Sequence, residues 1–462
     1  MTSTVPNPTR WYHLFRCVVG SPWVWAAGLV AISVVWGQRL QRETPLVRLG
    51  AAPLVGRDPV DGWQWRFSWA LVAAAALGAM VVVATVRAWW WQLRTRSIIP
   101  LVAVGAALFA VLLALTDGRD GLLRGAVHPT EYLANLQIMP PTGEFVRRFV
   151  DDIDRYSVHV RGHPPGFMVL LAAFDAVGLD GGWPVVGLSA AGTALAPAGM
   201  LVALWATGGV DWVRRAAPVM IVAPYALWMM TPADAVYSAL GAWGVATCVL
   251  GLRSRGTRAI AWGGASGLLL GILLFFTYGG ATFLVVPLVP TLVALRTRQP
   301  GVVPTIAAGV IAAGLVTAAW AAAGFWWFAG AVETKNQYWA GTAQYRPLAY
   351  FAIANLGATL IAVGPATFGG LVRLWEQRSR PPAIAVLVRA GFLALMVSHL
   401  SQYSRAEVER IWLLFFPWLA VAGGLLIDRP GAGTKARRLA GVAVSAQVVL
   451  AVGLQAALVS KW

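Results

Sequence analysis

The sequence predicts an all-α polytopic membrane protein, and two observations support this fold class. Of the 462 residues, 58% are hydrophobic and only 12% are charged, whereas a soluble protein of this length carries about 25% charged residues. Apolar segments of about 17–24 residues recur along the chain, and each is long enough to cross a hydrocarbon layer about 30 Å thick. We expect about 13 transmembrane helices in a single transmembrane domain, 1–462.

The formal net charge of +17 indicates how the chain is oriented in the membrane. The excess Arg and Lys residues lie in short loops between apolar segments, and such loops stay on the cytoplasmic side. No contiguous basic surface remains once these loops are assigned, so we expect no nucleic-acid partner. The basic positions are Arg87, Arg94, Arg96, Arg214, Arg215, Arg253, Arg255, Arg258, Arg296, Arg298, Arg373, Arg378, Arg380, Arg429, Lys435, Arg437 and Arg438.

The order of the apolar segments gives a topology with the N-terminus inside and the C-terminus outside. The first three helices are expected at roughly 20–37, 67–88 and 99–116. An outer loop, 117–163, follows. Two apolar segments then precede the next basic loop. Two full crossings would return that basic loop to the outer side, against the positive-inside rule. The short first segment, 164–179, is therefore expected to be interfacial or re-entrant. The second segment, 184–207, crosses the membrane.

The outer loop 117–163 gathers most of the chemistry that the chain offers. It holds seven of the 19 acidic residues and three of the five histidines. Ionisable groups are costly at a membrane and tend to be functional there. The segment 145–156 has apolar residues at helical spacing with charges between them, which predicts an amphipathic helix on the membrane surface.

Three carboxylates of this loop are candidate catalytic bases: Asp117, Asp120 and Glu131. Asp117 and Asp120 lie where the third helix leaves the membrane, and a partly desolvated carboxylate there suits a general base. The alternative is that the two aspartates are simply hydrated at a helix end. Glu131 follows Thr130, which suits a helix cap, so dipole matching in a short first turn is the alternative for Glu131.

The strongest local signal is the stretch 159–166, HVRGHPPG. His159, Arg161 and His163 alternate, which places them on one side of an extended segment, and Pro164 and Pro165 then lead into the membrane. These cations, with His128, are candidates to hold the phosphate of a lipid-borne substrate. A zinc site from His159, His163 and a carboxylate is the alternative, although the spacing matches no standard motif.

The positive-inside assignment places further polar groups on the same outer side. Asp234 lies in a short turn between two apolar segments, where a lone acid is costly unless it lines a cavity. The amides and aromatic rings at 333–346 suit sugar binding or an interfacial aromatic belt. Arg410 at the bilayer edge suits a lipid phosphate. The remaining substrate-binding candidates are Tyr278, Lys335, Arg346 and Glu409. Cys17 and Cys248 are far apart, which predicts neither a disulfide nor a cysteine metal site.

Together these motifs resemble the GT-C superfamily of membrane glycosyltransferases. The shared pattern is an acid just after a helix reaches the outside, a long polar loop, His163-Pro164-Pro165 before an apolar segment, and a later turn with Asp234. It is similar to that of enzymes that use polyprenyl-phosphate sugars, such as mannosyl- and arabinosyltransferases, and it covers roughly 99–323. Two helices in 1–98 precede this core, and residues 324–462 follow it. The family often has two adjacent acids after its first helix, whereas Asp117 and Asp120 are three positions apart.

The resemblance implies an inverting glycosyltransferase. One carboxylate would deprotonate a hydroxyl acceptor, which is a cell-envelope glycan, a glycolipid or a protein, and the sugar would leave a polyprenyl-phosphate donor on the extracytoplasmic face of the plasma membrane. No cofactor is expected, although a divalent metal is possible. The competing hypothesis is a transporter or flippase of a lipid-linked saccharide, which places charged groups in broken helices near mid-membrane.

Overall fold

The computed structural model describes residues 21–44, 47, 49 and 62–459. The described residues are almost entirely helical, with one short antiparallel ribbon, β1 (Gly62–Trp63) paired with β2 (Leu458–Val459). In chain order the α-helices are α1 Pro22–Glu43, α2 Trp69–Val86, α3 Thr95–Ala114, α4 Gly118–Val127, α5 Thr142–Arg148, α6 Val158–Arg161, α7 Gly166–Ala176, α8 Gly182–Gly208, α9 Val210–Ile221, α10 Asp234–Leu252, α11 Gly256–Phe276, α12 Gly279–Phe283, α13 Val285–Arg296, α14 Val302–Ala322, α15 Trp327–Ala340, α16 Leu348–Glu376, α17 Ala385–Ser401, α18 Val408–Ile411, α19 Phe416–Ala420 and α20 Gly433–Ala457.

Short 3-10 helices join several of these elements. They are Trp89–Trp91, Leu115–Asp117, Leu133–Ile138, Ile153–Arg155, Pro224–Trp228, Thr342–Tyr345, Trp412–Leu414 and Val421–Leu426.

Ten helices in the described part of the chain are long and apolar enough to cross a membrane. The bent pair Val408–Leu414 and Phe416–Leu426, with 78° between its halves, makes an eleventh if it is one span. This confirms an all-α polytopic membrane protein. The described residues thus hold 10 or 11 candidate spans, and the only further apolar helices of 10–17 residues among them are α7 and α17. The expected count of about 13 stays a prediction.

The segment 164–179 contains the 11-residue helix α7, which is too short to span a bilayer. The prediction for 145–156 is wrong in detail. The helix α5 ends at Arg148, a turn follows, and Ile153–Arg155 is a 3-10 helix. The apolar residues Phe145 and Phe149 are fully buried and pack on each other, and Phe149 also contacts Phe325. This segment is therefore folded onto the protein, because its aromatic rings find protein partners instead of lipid.

The positive-inside rule sorts the loops into a predicted inner group and a predicted outer group. Within each group, the loops contact one another. On the predicted inner side, Arg215 lies 3.9 Å from Asp428, and Arg429 pairs with Asp211. On the predicted outer side, residues from six separate segments contact one another around Glu131, Asp234 and Arg410 and around Asp117. The helices thus present a basic end and an end that carries the candidate site.

The helices α11 and α14 pack through a stripe of glycines. A methyl group on Gly267 would collide with the backbone of Gly309, whereas one on Gly264, three residues earlier, would meet nothing within 4 Å. Small residues at such crossings let two helix backbones approach closely in a membrane.

We therefore expect Gly267→Ala to destabilise the protein by about 1–3 kcal/mol, because the added carbon overpacks this crossing. Gly264→Ala is the matched control on the same helix and should leave stability unchanged. The measurement is the thermal unfolding midpoint of both purified proteins in detergent. Equal midpoints for the two variants would contradict the close crossing.

Candidate functional site

A buried ion cluster joins three distant parts of the chain at the predicted outer end of the fold. Arg410, at the start of the bent span, donates from both terminal nitrogens to the carboxylate of Glu131, at 2.5 and 3.1 Å. Its Nε donates to Asp234 Oδ2 at 2.5 Å. The three residues are 1–8% exposed. A guanidinium bound by two carboxylates in this geometry is a strong charge-assisted contact.

Local structure places each member of this cluster. Ala233 has φ 74° and turns the chain sharply before Asp234, which is the first residue of α10. A carboxylate at a helix N-terminus is favoured by the helix dipole. Glu131 sits in the tight turn after His128, whose carbonyl accepts from the Glu131 backbone N–H at 2.9 Å. Asp234 is therefore a paired acid and not a lone one.

The balance of charges in the cluster is uneven. Burial raises the pKa of Glu131, and the neighbouring Arg410 opposes that shift. Two carboxylates face one guanidinium, and His159 Nε2 lies 3.3 Å from Glu131 Oε1 and 3.5 Å from Arg410 Nη1. The two carboxylates and one guanidinium therefore carry one negative charge in excess when both acids are ionised, which is unfavourable in a buried site.

The segment with the alternating cations is not extended as predicted. Residues 158–161 form the helical turn α6, so His159 and His163 come to one face and Arg161 leaves it. The His163 Nδ1 atom lies 2.8 Å from the His159 carbonyl, and Arg161 donates to Gln337 Oε1 at 3.2 Å. The motif is helical because the backbone can close N–H···O=C bonds from Arg161 and Gly162 back to Ser157 and Val158.

An aromatic layer packs beside the ion cluster. The hydroxyls of Tyr132 and Tyr237 lie 3.1 Å apart, and the His163 ring lies 5.9 and 5.6 Å from the two rings. Burial raises the pKa of Tyr132 well above its ordinary value and lowers the pKa of His163 from 6.5 to about 4. His163 is therefore neutral at physiological pH and acts as a packed hydrogen-bonding group rather than as a cation for phosphate.

This shift predicts how stability depends on pH. The unfolded chain takes up a proton on His163 below about pH 6.5, but the folded protein does so only near pH 4. The contribution of His163 is complete above pH 6.5 and is lost as the pH falls toward 4. We expect the thermal midpoint of wild type to fall more steeply over this window than that of His163→Gln. Parallel curves for the two proteins would contradict a buried neutral His163.

Asp117 lies in a second site at the same end of the fold. The 3-10 helix Leu115–Asp117 ends α3, and Gly118, with φ 68°, turns the chain into α4. The Asp117 Oδ2 atom lies 2.5 Å from Arg66 Nη1 and 2.9 Å from Arg124 Nη2. The carboxylate is 17% exposed and faces a cavity of about 50 Å³ that Thr231 also lines. Asp117 is thus a held, solvent-reachable carboxylate.

The Asp117 site and the ion cluster share a wall. Thr231 borders the cavity, and the next residue, Pro232, accepts a hydrogen bond from Arg410 Nη2 at 3.3 Å. The turn that holds Asp234 for Arg410 therefore also closes one side of the space in front of Asp117.

The remaining predicted residues lie around these two sites. His128 Nδ1 contacts Thr130 Oγ1 at 2.7 Å, and Arg346 donates to Glu407 and to the Arg405 carbonyl. Tyr278 packs on Trp327. Asp120 and Lys335 are exposed.

Glu409 is 1% exposed, and neither of its carboxylate oxygens has a hydrogen-bond partner among the described residues. Within the same described residues, no group of three or more His, Cys, Asp or Glu side chains is arranged to hold a metal ion.

Four residues of these sites were not predicted from the sequence: Arg66, Arg124, Tyr132 and Tyr237. Arg66 is the only charged residue in the stretch 62–69 and precedes a membrane helix, which is the signal that could have identified it. Arg124 lies seven positions after Asp117, two helical turns along, so a helix at 118–127 would have placed both on one side. No sequence pattern identifies Tyr132 and Tyr237, except that Tyr132 follows Glu131 and Tyr237 lies three positions after Asp234.

The fold and these sites define an all-α polytopic membrane protein with a buried ion cluster beside a held carboxylate. No model of a known protein family matches the chain, and no curated protein matches it either.

Proposed function

We propose that this protein is an inverting glycosyltransferase of the GT-C type that acts on the extracytoplasmic face of the plasma membrane. Its donor is a polyprenyl-phosphate sugar and its acceptor is a hydroxyl of a glycan, lipid or protein. The observation that carries the proposal is Asp117, a carboxylate at the outer end of a membrane helix that two arginines hold at the edge of a cavity.

Asp117 suits the base better than the other two candidate carboxylates. Both oxygens of Glu131 are bound by Arg410 and its side chain is 2% exposed, so an acceptor hydroxyl does not reach it. Asp120 lies on the exposed side of α4, away from the cavity lining. For Asp117, the contacts of Arg66 and Arg124 are both with Oδ2, and the carboxylate is 17% exposed at the cavity. A general base needs a carboxylate oxygen within hydrogen-bond reach of its substrate.

The proposed step transfers one sugar with inversion. The acceptor oxygen attacks the anomeric carbon while its proton passes to the Asp117 carboxylate, and the bond from that carbon to the phosphate oxygen breaks. The polyprenyl phosphate leaves with the bond electrons. Arg124 and Arg66, already beside Asp117, are the cations closest to the negative charge that forms on the phosphate. No cofactor takes part in this step.

The Arg410 cluster supports this site instead of reacting. It ties the outer loop, the Asp234 turn and the bent span together, so the wall formed by Thr231 and Pro232 is rigid. A reactive geometry requires positioning groups that are themselves locked. This assigns Glu131, Asp234 and Arg410 as positioning residues.

One observation favours the transporter hypothesis. Arg410 belongs to a pair of helices bent by 78°, and its partner Asp234 follows a sharp turn before α10. Charged groups at broken helices are typical of transporters, in which the broken segments move. Movement of these segments would have to break the contacts of Arg410 with Glu131 and Asp234. Because all three residues are buried, this argues against the transporter.

The test uses the wild-type protein in vesicles with a panel of radiolabelled polyprenyl-phosphate sugars and an acceptor lipid extract. The proposal predicts that label moves to an acceptor from one donor and that free polyprenyl phosphate appears in equal amount. Movement of an intact lipid-linked saccharide between leaflets, without cleavage, would establish the transporter instead. Cleavage with no change of leaflet excludes the transporter.

A further inference from the structure

The stretch before α2 carries an unusual surface. Trp63, Trp65, Phe67 and Trp69 are 53%, 82%, 86% and 87% exposed. They occupy every second position of the sequence GWQWRFSW, and alternate residues of an extended chain point to one side. We call these four side chains the aromatic edge. At about 200 Å² for each aromatic side chain, the edge exposes roughly 600 Å² of apolar surface.

The backbone confirms that this stretch is extended and firmly attached. Gly62 and Trp63 pair with Val459 and Leu458, and the backbone N–H groups of Gln64 and Arg66 donate to the carbonyls of Ala457 and Ala456. The edge is therefore a rigid rim along the end of α20.

On the opposite side of the same stretch, Arg66 and Ser68 contact the protein. The Arg66 guanidinium contacts Asp117 and the carbonyls of Gln455 and Leu458, and its side chain is only 17% exposed. Ser68 accepts a hydrogen bond from Leu71 N and caps α2. The one charged residue of the stretch is thus turned inward, and the aromatic edge carries no charge.

We propose that the aromatic edge docks into the outer lipid–water interface of the bilayer, at the level of the lipid headgroups. Continuity supports this partner. Trp69 is the first residue of α2, a candidate span whose Val83 and Met80 are 45% and 61% exposed, so the edge extends a lipid-facing surface without a break. Tryptophan prefers this layer because its ring is apolar and its N–H remains near water. A patch of this size on a water-facing surface would promote aggregation.

This docking determines the depth of the Asp117 site. Arg66 lies between Trp65 and Phe67 in the chain, so the side chain that holds Asp117 is anchored by two neighbours in the lipid interface. The cavity at Asp117 therefore opens at headgroup level. The docking itself does not depend on the proposed function. If the proposed function holds, the phosphate of a membrane-borne donor reaches the cavity without leaving the lipid surface.

The experiment measures the depth of single nitroxide labels by electron paramagnetic resonance. Cys17→Ser and Cys248→Ala provide the background, and labels are placed at Trp65→Cys and Phe67→Cys in vesicles of phosphatidylethanolamine and phosphatidylglycerol. Val83→Cys is the lipid control, and Asp154→Cys, an exposed residue of the outer loop, is the aqueous control. The labelled residues are exposed, so labelling disturbs no packed contact.

We expect the ratio of oxygen to nickel-complex accessibility at positions 65 and 67 to lie between the ratios at 83 and 154, and to exceed that at 154. Ratios equal to that at 154 would overturn the proposal and indicate a water-facing platform for another ligand. A second readout uses the unlabelled protein. Hydroxyl radicals made in the water phase should oxidise Trp65 slowly in vesicles, and rapid oxidation would overturn the proposal equally. Neither readout depends on sugar transfer, so failure of the docking and failure of the enzymatic proposal are separable.

Discussion

Replacing Asp117 with asparagine is expected to lower kcat for sugar transfer by about 10²–10⁴-fold, the usual loss when a general base is removed. Asparagine has the same shape, and its amide oxygen still accepts hydrogen bonds from Arg66 and Arg124, so the folded protein should persist. What it lacks is an oxygen that takes a proton from the acceptor. The measurement is the initial rate of label transfer in vesicles at saturating donor, with KM determined in parallel.

Two variants accompany this measurement. Asp120→Asn changes an acid three positions away that is exposed and outside the cavity lining, so it should retain most of the activity. Glu131→Gln should lose activity together with thermal stability, because a neutral amide replaces the carboxylate that Arg410 binds with both terminal nitrogens. If Asp120→Asn abolishes transfer while Asp117→Asn remains active, the base has been assigned to the wrong carboxylate.

Replacing Arg410 with leucine is expected to destabilise the protein by about 3–5 kcal/mol, which is the cost of leaving buried charges without their partner. Glu131 and Asp234 would then face each other, buried and both acidic. The measurement is the yield of monodisperse protein after detergent extraction, followed by the thermal midpoint of whatever remains folded.

A matched control is available in Arg148→Leu. Arg148 also pairs with two carboxylates, those of Glu144 and Asp152, at 3.4 and 3.1 Å, but its side chain is 52% exposed. The exposed pair with Glu144 contributes about 0–1 kcal/mol, and Asp152 keeps Arg155 as a partner at 3.4 Å, so this variant should resemble wild type. The triple variant Arg410→Leu, Glu131→Gln, Asp234→Asn removes the unpaired charges and should recover part of the lost stability. Equal losses for Arg410→Leu and Arg148→Leu would show that burial of the cluster is not what makes Arg410 important.

The sequence by itself determined the fold class and the two ends of the molecule. Apolar runs of spanning length can only be helices in a bilayer, because lipid offers no partner for backbone N–H and C=O groups. Arg and Lys in short loops then separate the inner from the outer side. Asp117, Glu131, Asp234 and Arg410 were all predicted as site residues on the outer side for this reason.

Only the tertiary structure decided which of these residues meet. Glu131, Asp234 and Arg410 are up to 279 positions apart, and no local pattern encodes their pairing. The cluster forms because three helix ends converge and two carboxylates can be buried only with a cation between them. The same convergence brings Arg66, 51 positions earlier in the chain, to Asp117. The alternation of His159, Arg161 and His163 misled the sequence interpretation, because a single turn of helix reversed which side chains share a face.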